Sequence, residues 1–361
     1  MIFEKHPNGP ESVPVIRYKN EKDEWEELPV PDIYWVFQSE QPVSDVPADD
    51  PGCVPANEHT VSMVLSDRSL KEFTLPEVDI EALYKDLQEA NPNIIFGAPA
   101  SARIALPNLP NTRDLGGIRT KDGKYILPHR LIRSGELHGI SHEGKKVLEK
   151  EYNLKEIVDL RTDMEILASP DPLFLGVHWT HCPIYDLKEV GEIGRGSSLR
   201  DILDDLKNHP EETMLHLYKD MVSNPFSIEH WRRFFDILLQ EDKGAVLFHC
   251  TQGKDRTGMA AVLILTVLGV DKETIYEGYE RTTGYLHAEN EEIIHKLCEK
   301  EHEGPEAFEN LKYLFIAYPK YLDVAYQTAE EKYGSMENFI TEGIGVTAEE
   351  QQALKDKYLA G

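Results

Sequence analysis

The sequence is short of cysteine and of positive charge, and it has no long apolar run. Its four cysteines, Cys53, Cys182, Cys250 and Cys298, lie far apart, with no C-x-x-C pair. That argues against a disulfide framework and against a structural zinc site. Lysine and arginine total 38 against 65 aspartates and glutamates, a formal net charge of -27. A field of that sign repels nucleic acid and anionic membranes, so any anionic ligand needs a strong local positive site. The longest apolar stretch, 259–270, is broken by Thr266 and Gly269. It falls well short of the roughly 20 residues of a membrane span. The opening MIFEKHPNGPES lacks the regions of a signal peptide. A cytoplasmic location is therefore expected, unless a leader has been removed.

What is present suffices for about two domains in 361 residues, 40% of them hydrophobic. Fourteen of the 22 prolines fall before residue 111. The same region carries strand-like runs: VPVIRY (13–18), DIYWVF (32–37), VSMVLS (61–66) and LKEFTL (70–75). SDRS between the last two reads as a hairpin turn. Prolines between strands suit protected edges, so residues 1–98 are expected to form a small all-β, sandwich-like accessory domain.

From 99 to 361 the pattern changes to strands alternating with helices. LKEIVDL (154–160), GVHWTHCPIYD (176–186) and GAVLFH (244–249) read as strands. SHEGKKVLEKEY (141–152), LRDILDDLKNH, EETMLHLYKDMV and SIEHWRRFFDILLQ read as helices, the last with Ser227 as its N-cap. This predicts an α/β domain with a mixed or parallel sheet flanked by helices. Residues 187–225 are longer than a crossover needs, and a lid is expected there.

Between GAVLFH and the helical run RTGMAAVLILTVLG lies HCTQGKDRTG. A loop after a strand's carboxyl end and before a helix's amino end is where α/β sheets bind anions. Cys250 can serve there as a nucleophile, its thiolate favoured by the helix N-terminus and by Lys254 and Arg256. Gly253 lets the backbone curl so that the amides of Thr251, Gln252 and their neighbours face inward. Arg256 can grip two phosphate oxygens with its fork, and Lys254 beside it adds positive charge and reach toward the bound anion. Thr257 can donate its hydroxyl to the leaving thiolate, and His249 can orient the loop through a ring nitrogen. A bare Cys-x5-Arg spacing is weak, but the full run in this context is specific.

At these residues the chain resembles the atypical bacterial tyrosine phosphatases, some of which also hydrolyse phosphoserine, phosphothreonine and phosphoinositides. NTRDLGGIRT (111–120), LIRSGEL (131–137), IVDLRTDMEI (157–166) and the tail YLDVAYQTAEEKYGSMENFITEGIGV resemble further family motifs, in order. The resemblance runs from about residue 100 to the end. It implies a cysteinyl-phosphate mechanism with no metal or other cofactor. It also implies an aspartate as proton donor, either Asp186, which ends HCPIYD, or Asp255 within the loop. In the family, a lysine at the place of Lys254 goes with acceptance of inositol lipids. Arg113, Asp114, Arg133, Asp159 and Arg161 are expected to form salt bridges that support the loop.

Two other classes fit a cysteine in an anion-cradling loop: a sulfur-transferring or arsenate-reducing enzyme, and a non-catalytic phosphate-binding module. The phosphatase reading expects a phosphorylated protein or a small phosphomonoester as partner. Phosphotyrosine comes first, and phosphoserine, phosphothreonine and inositol phospholipids stay open. The net charge tilts the choice from lipid toward protein or soluble substrates. No nucleic acid partner and no transmembrane segment are expected.

Overall fold

The computed structural model describes residues 1–5, 7, 12–20, 22–38, 58–185, 209–241, 243–301 and 312–361. The chain divides into two units, Met1–Pro99 with Leu359–Gly361, and Ala100–Tyr358.

In the first unit, β1 (Ile2–Glu4), β2 (Val15–Lys19) and β3 (Trp25–Pro29) make an antiparallel sheet. A second sheet joins β4 (Ile33–Gln38), β5 (Glu58–Leu65), β6 (Leu70–Pro76) and β7 (Ile95–Phe96) in the order β6-β5-β4-β7. The SDRS turn closes the β5–β6 hairpin, with the Leu65 amide donating to the Ser69 carbonyl at 2.9 Å. Arg68 adopts φ +71° there. Helix α1 (Glu77–Ala90) adds to the β-rich region an element that the strand pattern did not announce. Its Ile80, Leu83 and Leu87 share one core with Ile16, Leu28, Val36 and Met63 from the two sheets.

The second unit contains β8 (Arg113–Asp114), β9 (Tyr125–Ile126), β10 (Leu131–Ser134), β11 (Leu154–Asp159), β12 (His178–His181) and β13 (Ala245–His249). Five of them form a sheet in the order β12-β11-β13-β10-β8, parallel throughout except for β8 at the edge. All of β13 is buried because it is the central strand. Leu247 packs on one face with Leu154, Ile157 and Ile132, and Phe248 meets Phe234 on the other, at 5.5 Å between ring centres. A strand covered on both faces must be apolar on successive residues, and GAVLF is.

The helices of this unit begin with α2 (His142–Lys146, continued by a π turn at Val147–Glu151), α3 (Asp163–Ala168), α4 (Pro210–Ser223), α5 (Pro225–Gln240) and α6 (Asp255–Leu268). Then follow α7 (Lys272–Glu301), α8 (Pro319–Tyr333) and α9 (Ala348–Tyr358). Helix α6 is apolar nearly all round and correspondingly buried. Gly269 ends it with φ +85° in the left-handed region.

Three expectations are corrected. The N-cap of α5 is Asn224, whose Oδ1 accepts from the Phe226 amide at 2.8 Å, with Pro225 at the first helical position. Ser227 lies inside the helix and donates to the Ile184 carbonyl at 2.8 Å. The strand read over 176–186 is regular only at His178–His181. The lid expected over 187–225 ends in α4, which is core. Met214, Tyr218, Met221 and Val222 are buried, and the Tyr218 ring packs 5.5 Å from that of Tyr321 on α8. The rest of that segment, to residue 208, lies outside the described residues, as does Asp186.

Leu247→Ala is expected to cost about 2–5 kcal/mol and Asn224→Ala about 1 kcal/mol. Urea unfolding of the full chain, followed by circular dichroism, measures both.

Candidate active site

Strand β13 delivers Cys250 to the end of the sheet, 3% exposed and as a free thiol. The next residues turn back to the N-terminus of α6. Gly253 makes that turn at φ +69°. A Cβ there would lie 2.3 Å from the Ser134 carbonyl oxygen, which no side chain can do. The turn is then fixed from outside, carbonyl by carbonyl. The Thr251 carbonyl accepts from the Glu136 amide at 2.9 Å. The Gln252 carbonyl accepts from Asn111 Nδ2 at 3.0 Å. The Gly253 carbonyl accepts from Asn111 Nδ2 at 3.0 Å and from Arg133 Nη2 at 2.8 Å. In a trans peptide the N–H points opposite to the C=O. Three successive outward carbonyls therefore turn the following amides, of residues 252–254, toward the opposite side, as in an anion nest.

Each flanking motif supplies part of this support. Arg113, fully buried, donates to Asn111 Oδ1 (3.2 Å), Thr282 Oγ1 (2.9 Å) and the Gly278 carbonyl (2.7 Å). Arg133 is as deeply buried, and burial pushes its pKa down to about 10 even with the charges of Cys250, Tyr218, Tyr279 and Asp255 opposing. Asp114 accepts the His129 and Gly116 amides at 2.7 and 2.9 Å. Burial raises its pKa to about 6 against those bonds. Of the five charged residues expected in salt bridges, only Asp159 and Arg161 form ion pairs among the described residues, with each other at 2.8 Å. Arg113, Arg133 and Asp114 hold backbone and neutral groups instead.

Arg161 also reaches Asp171 and Glu136, each at 3.0 Å. His249 sits against this group, its Nε2 3.0 Å from Asp171 Oδ2 and its Nδ1 3.2 Å from the Cys250 carbonyl. Burial alone would lower the His249 pKa, but Asp171 and Asp159 raise it. Asp159, Asp171 and His249 lie close enough together to hold a metal ion. The Arg161 guanidinium already supplies their cation.

The charged residues of the loop divide their tasks. Arg256 Nη1 and Nη2 each meet a Glu165 oxygen at 2.6 Å, a bidentate pair. Burial would raise the Glu165 pKa, but the Arg256 charge, that fork and the Thr251 hydroxyl (2.6 Å) hold it well below the usual carboxylate range. Lys254, expected to reach the anion, is buried with its Nζ donating to the carbonyls of Leu314 (2.6 Å) and Ile316 (3.1 Å). Burial lowers its pKa, against the pull of Asp255 and Cys250. Asp255 Oδ1 accepts from the Tyr218 hydroxyl at 2.8 Å and lies 3.3 Å from Lys254 Nζ. Tyr218 in turn shares a hydrogen bond of 2.7 Å with Tyr279. Gln252 extends to Asn290 at 2.7 Å. The Thr257 hydroxyl is buried with no hydrogen-bond partner among the described residues.

Asn111, Glu165, Asp171 and Tyr218 were not singled out from the sequence. Only Glu165 left a local sign. Thr162-x-x-Glu165 is a capping box, and both of its hydrogen bonds form at the start of α3.

Residues 104–360 match the model of a family described as "Tyrosine phosphatase family". The chain belongs to the tyrosine phosphatase family. It is therefore a phosphatase, and the sulfur-transfer and arsenate-reducing alternatives fall away. A Cupriavidus necator protein named "Putative tyrosine-protein phosphatase" is 27% identical, covering 74% of this chain and 94% of its own. A "Tyrosine-protein phosphatase" of Nostoc commune is 26% identical over 62% of this chain and 72% of its own. The "Triple specificity protein phosphatase PtpB" of Mycobacterium tuberculosis is 24% identical over 65% and 91%. No helix among the described residues is long and apolar enough to cross a membrane.

Gly253→Ala is expected to cost more than about 2 kcal/mol, since it adds both a backbone clash and a strained φ. Thermal unfolding measures that loss, and aryl phosphate turnover should fall with it. Glu165 predicts a pH dependence. Its pKa is depressed on folding, so the clamp contributes fully above the ordinary value of 4.5 and is lost as pH falls below it. The gap in melting temperature between wild type and Glu165→Gln should therefore narrow on acidification below that pH.

Proposed function

We propose that the protein hydrolyses phosphomonoesters, phosphotyrosine foremost, through a phosphoryl group held transiently on Cys250. The outward-held carbonyls of Thr251, Gln252 and Gly253 carry this reading. They leave the opposite face of the loop lined with amides beside the cysteine. The Cys250 sulfur attacks phosphorus in line with the leaving oxygen. Loop amides and Arg256 hold the equatorial oxygens as charge spreads over them. Thr257, with its unpartnered hydroxyl, stabilises the sulfur as it departs. Water then hydrolyses the cysteinyl phosphate, returning the thiolate and inorganic phosphate.

For the proton donor we favour Asp186 over Asp255. Asp255 Oδ1 is already engaged by Tyr218 and lies beside the Lys254 ammonium. Those contacts tie the carboxylate to α4 and to Lys254. In this reading Asp255 anchors the loop to α4, and Asp186 gives its proton to the leaving group and later takes one from water.

The name of the Mycobacterium tuberculosis relative motivates a panel that adds phosphoserine, phosphothreonine and phosphoinositides to phosphotyrosine. The lipid member has the least support. Lys254, the residue that favoured it, spends its ammonium on main-chain carbonyls. The -27 charge opposes docking on an anionic bilayer.

Aryl phosphate hydrolysis in EDTA is expected to proceed and to fall by more than about 10³-fold in Cys250→Ser. Activity that EDTA removes, or that survives this substitution, would overturn the mechanism. Asp186→Asn should slow phenyl phosphate, with its poor leaving group, by about 10²–10⁴-fold, and p-nitrophenyl phosphate much less. If Asp255→Asn gives that split and Asp186→Asn does not, the two assignments exchange.

A further inference from the structure

A cavity of about 50 Å³ opens beside the middle of α6. At about 10–15 Å³ per water, it holds roughly three to five waters or one small molecule. Leu115, Ile118, Val262 and Leu265 give it apolar walls, and Arg113 and Arg133 also line it. None of residues 249–257 does, so it is separate from the inner face of the cysteine loop.

The two arginines are the unusual part. Arg161 and Arg256 both have carboxylate partners. Arg113 and Arg133, at 0% and 2% exposure, make no ion pair among the described residues. Their acceptors are neutral: main-chain carbonyls, an amide and a hydroxyl. The Nε of each is buried with no hydrogen-bond partner among the described residues. The lone carboxylate among the lining residues, Glu277, faces Arg281 at 3.8 Å. Two neighbouring guanidiniums taken out of water without a carboxylate in direct contact are costly, and a carboxylate matches their geometry.

We propose that this cavity is a second anion site, which binds a small carboxylate with an apolar body and slows the enzyme when filled. The two unpaired guanidiniums receive the carboxylate, and the aliphatic walls receive the body. The link to the reaction is short. Arg133 donates to the Gly253 carbonyl, and Arg113 donates to Asn111, which holds the carbonyls of Gln252 and Gly253. A negative charge on these arginines weakens the positive field available to the thiolate and the phosphate. The existence of the site is independent of the proposed function, and only the direction of its effect on turnover rests on that reading.

Benzoate is the probe, titrated against full-length enzyme at constant ionic strength with chloride as the balancing anion. Saturating benzoate is expected to lower kcat about fivefold or more with KM unchanged. Gly278→Leu supplies the control. Gly278 lines the cavity, and a Cβ built there meets no atom within 4 Å, so a larger side chain has open space at its root from which to crowd the cavity. The ratio of activity with and without benzoate should return to one in this variant. A competitive pattern, no effect, or equal inhibition of Gly278→Leu would each overturn the proposal. Should the protein prove inactive on aryl phosphates, melting temperature decides. A rise with benzoate in wild type that Gly278→Leu lacks supports the site, and no rise, or an equal rise in both, overturns it.

Discussion

The site depends on one close approach, where Gly253 passes the backbone of Ser134. No side chain fits between them, and the left-handed φ at that residue suits glycine. Once the loop is pressed against β10, its carbonyls fall within reach of Asn111 and Arg133. The amides then have one direction left to face. The parallel sheet makes the approach possible, because β10 and β13 are neighbours and end at the same level, with Ser134 beside His249. Fold and chemistry are joined at this contact.

A second constraint is electrostatic. The protein is strongly acidic, yet five cationic side chains, Arg113, Arg133, Arg161, Lys254 and Arg256, are buried around one loop. Among the described residues, only Arg161 and Arg256 are closely matched by buried or half-buried carboxylates. The others are held by main-chain carbonyls and neutral side chains, with Lys254 also near Asp255. That distribution keeps a positive potential at the loop without placing a cation on the surface, where water and salt would screen it.

The sequence made the fold legible where one element accounts for its own residues. GAVLF is apolar on both faces because β13 is central, and RTGMAAVLILTVLG is apolar all round because α6 is enclosed. SDRS could be read as a turn from its residues alone. Elements that depend on distant partners were hidden. Helix α1 follows directly on a strand, with no capping side chain at its start. Ser227 looked like an N-cap, but Asn224 and Pro225 start the helix one turn earlier. At the site the limit was separation along the chain. Glu165 meets Arg256 across 91 positions, Asn111 meets Gln252 across 141, and Lys254 meets Leu314 across 60. Lys254 misled for the same reason. Next to an arginine in a loop it reads as a second phosphate ligand, and only the position of Leu314 gives its ammonium another use.

The clamp between Arg256 and Glu165 has a consequence for selectivity. In the resting enzyme the guanidinium is already occupied by an internal anion, held at 2.6 Å on both oxygens. On the reading proposed above, in which Arg256 grips the phosphoryl group, a substrate arrives as a rival to that anion. Glu165 offers a single negative charge, whereas a phosphomonoester dianion offers two on an array of three oxygens. Esters that carry one charge, such as sulfate esters, compete on nearly equal terms with a partner already in place. On that reading the carboxylate acts as a reference charge against which each incoming group is weighed, and it tips the balance toward the doubly charged one.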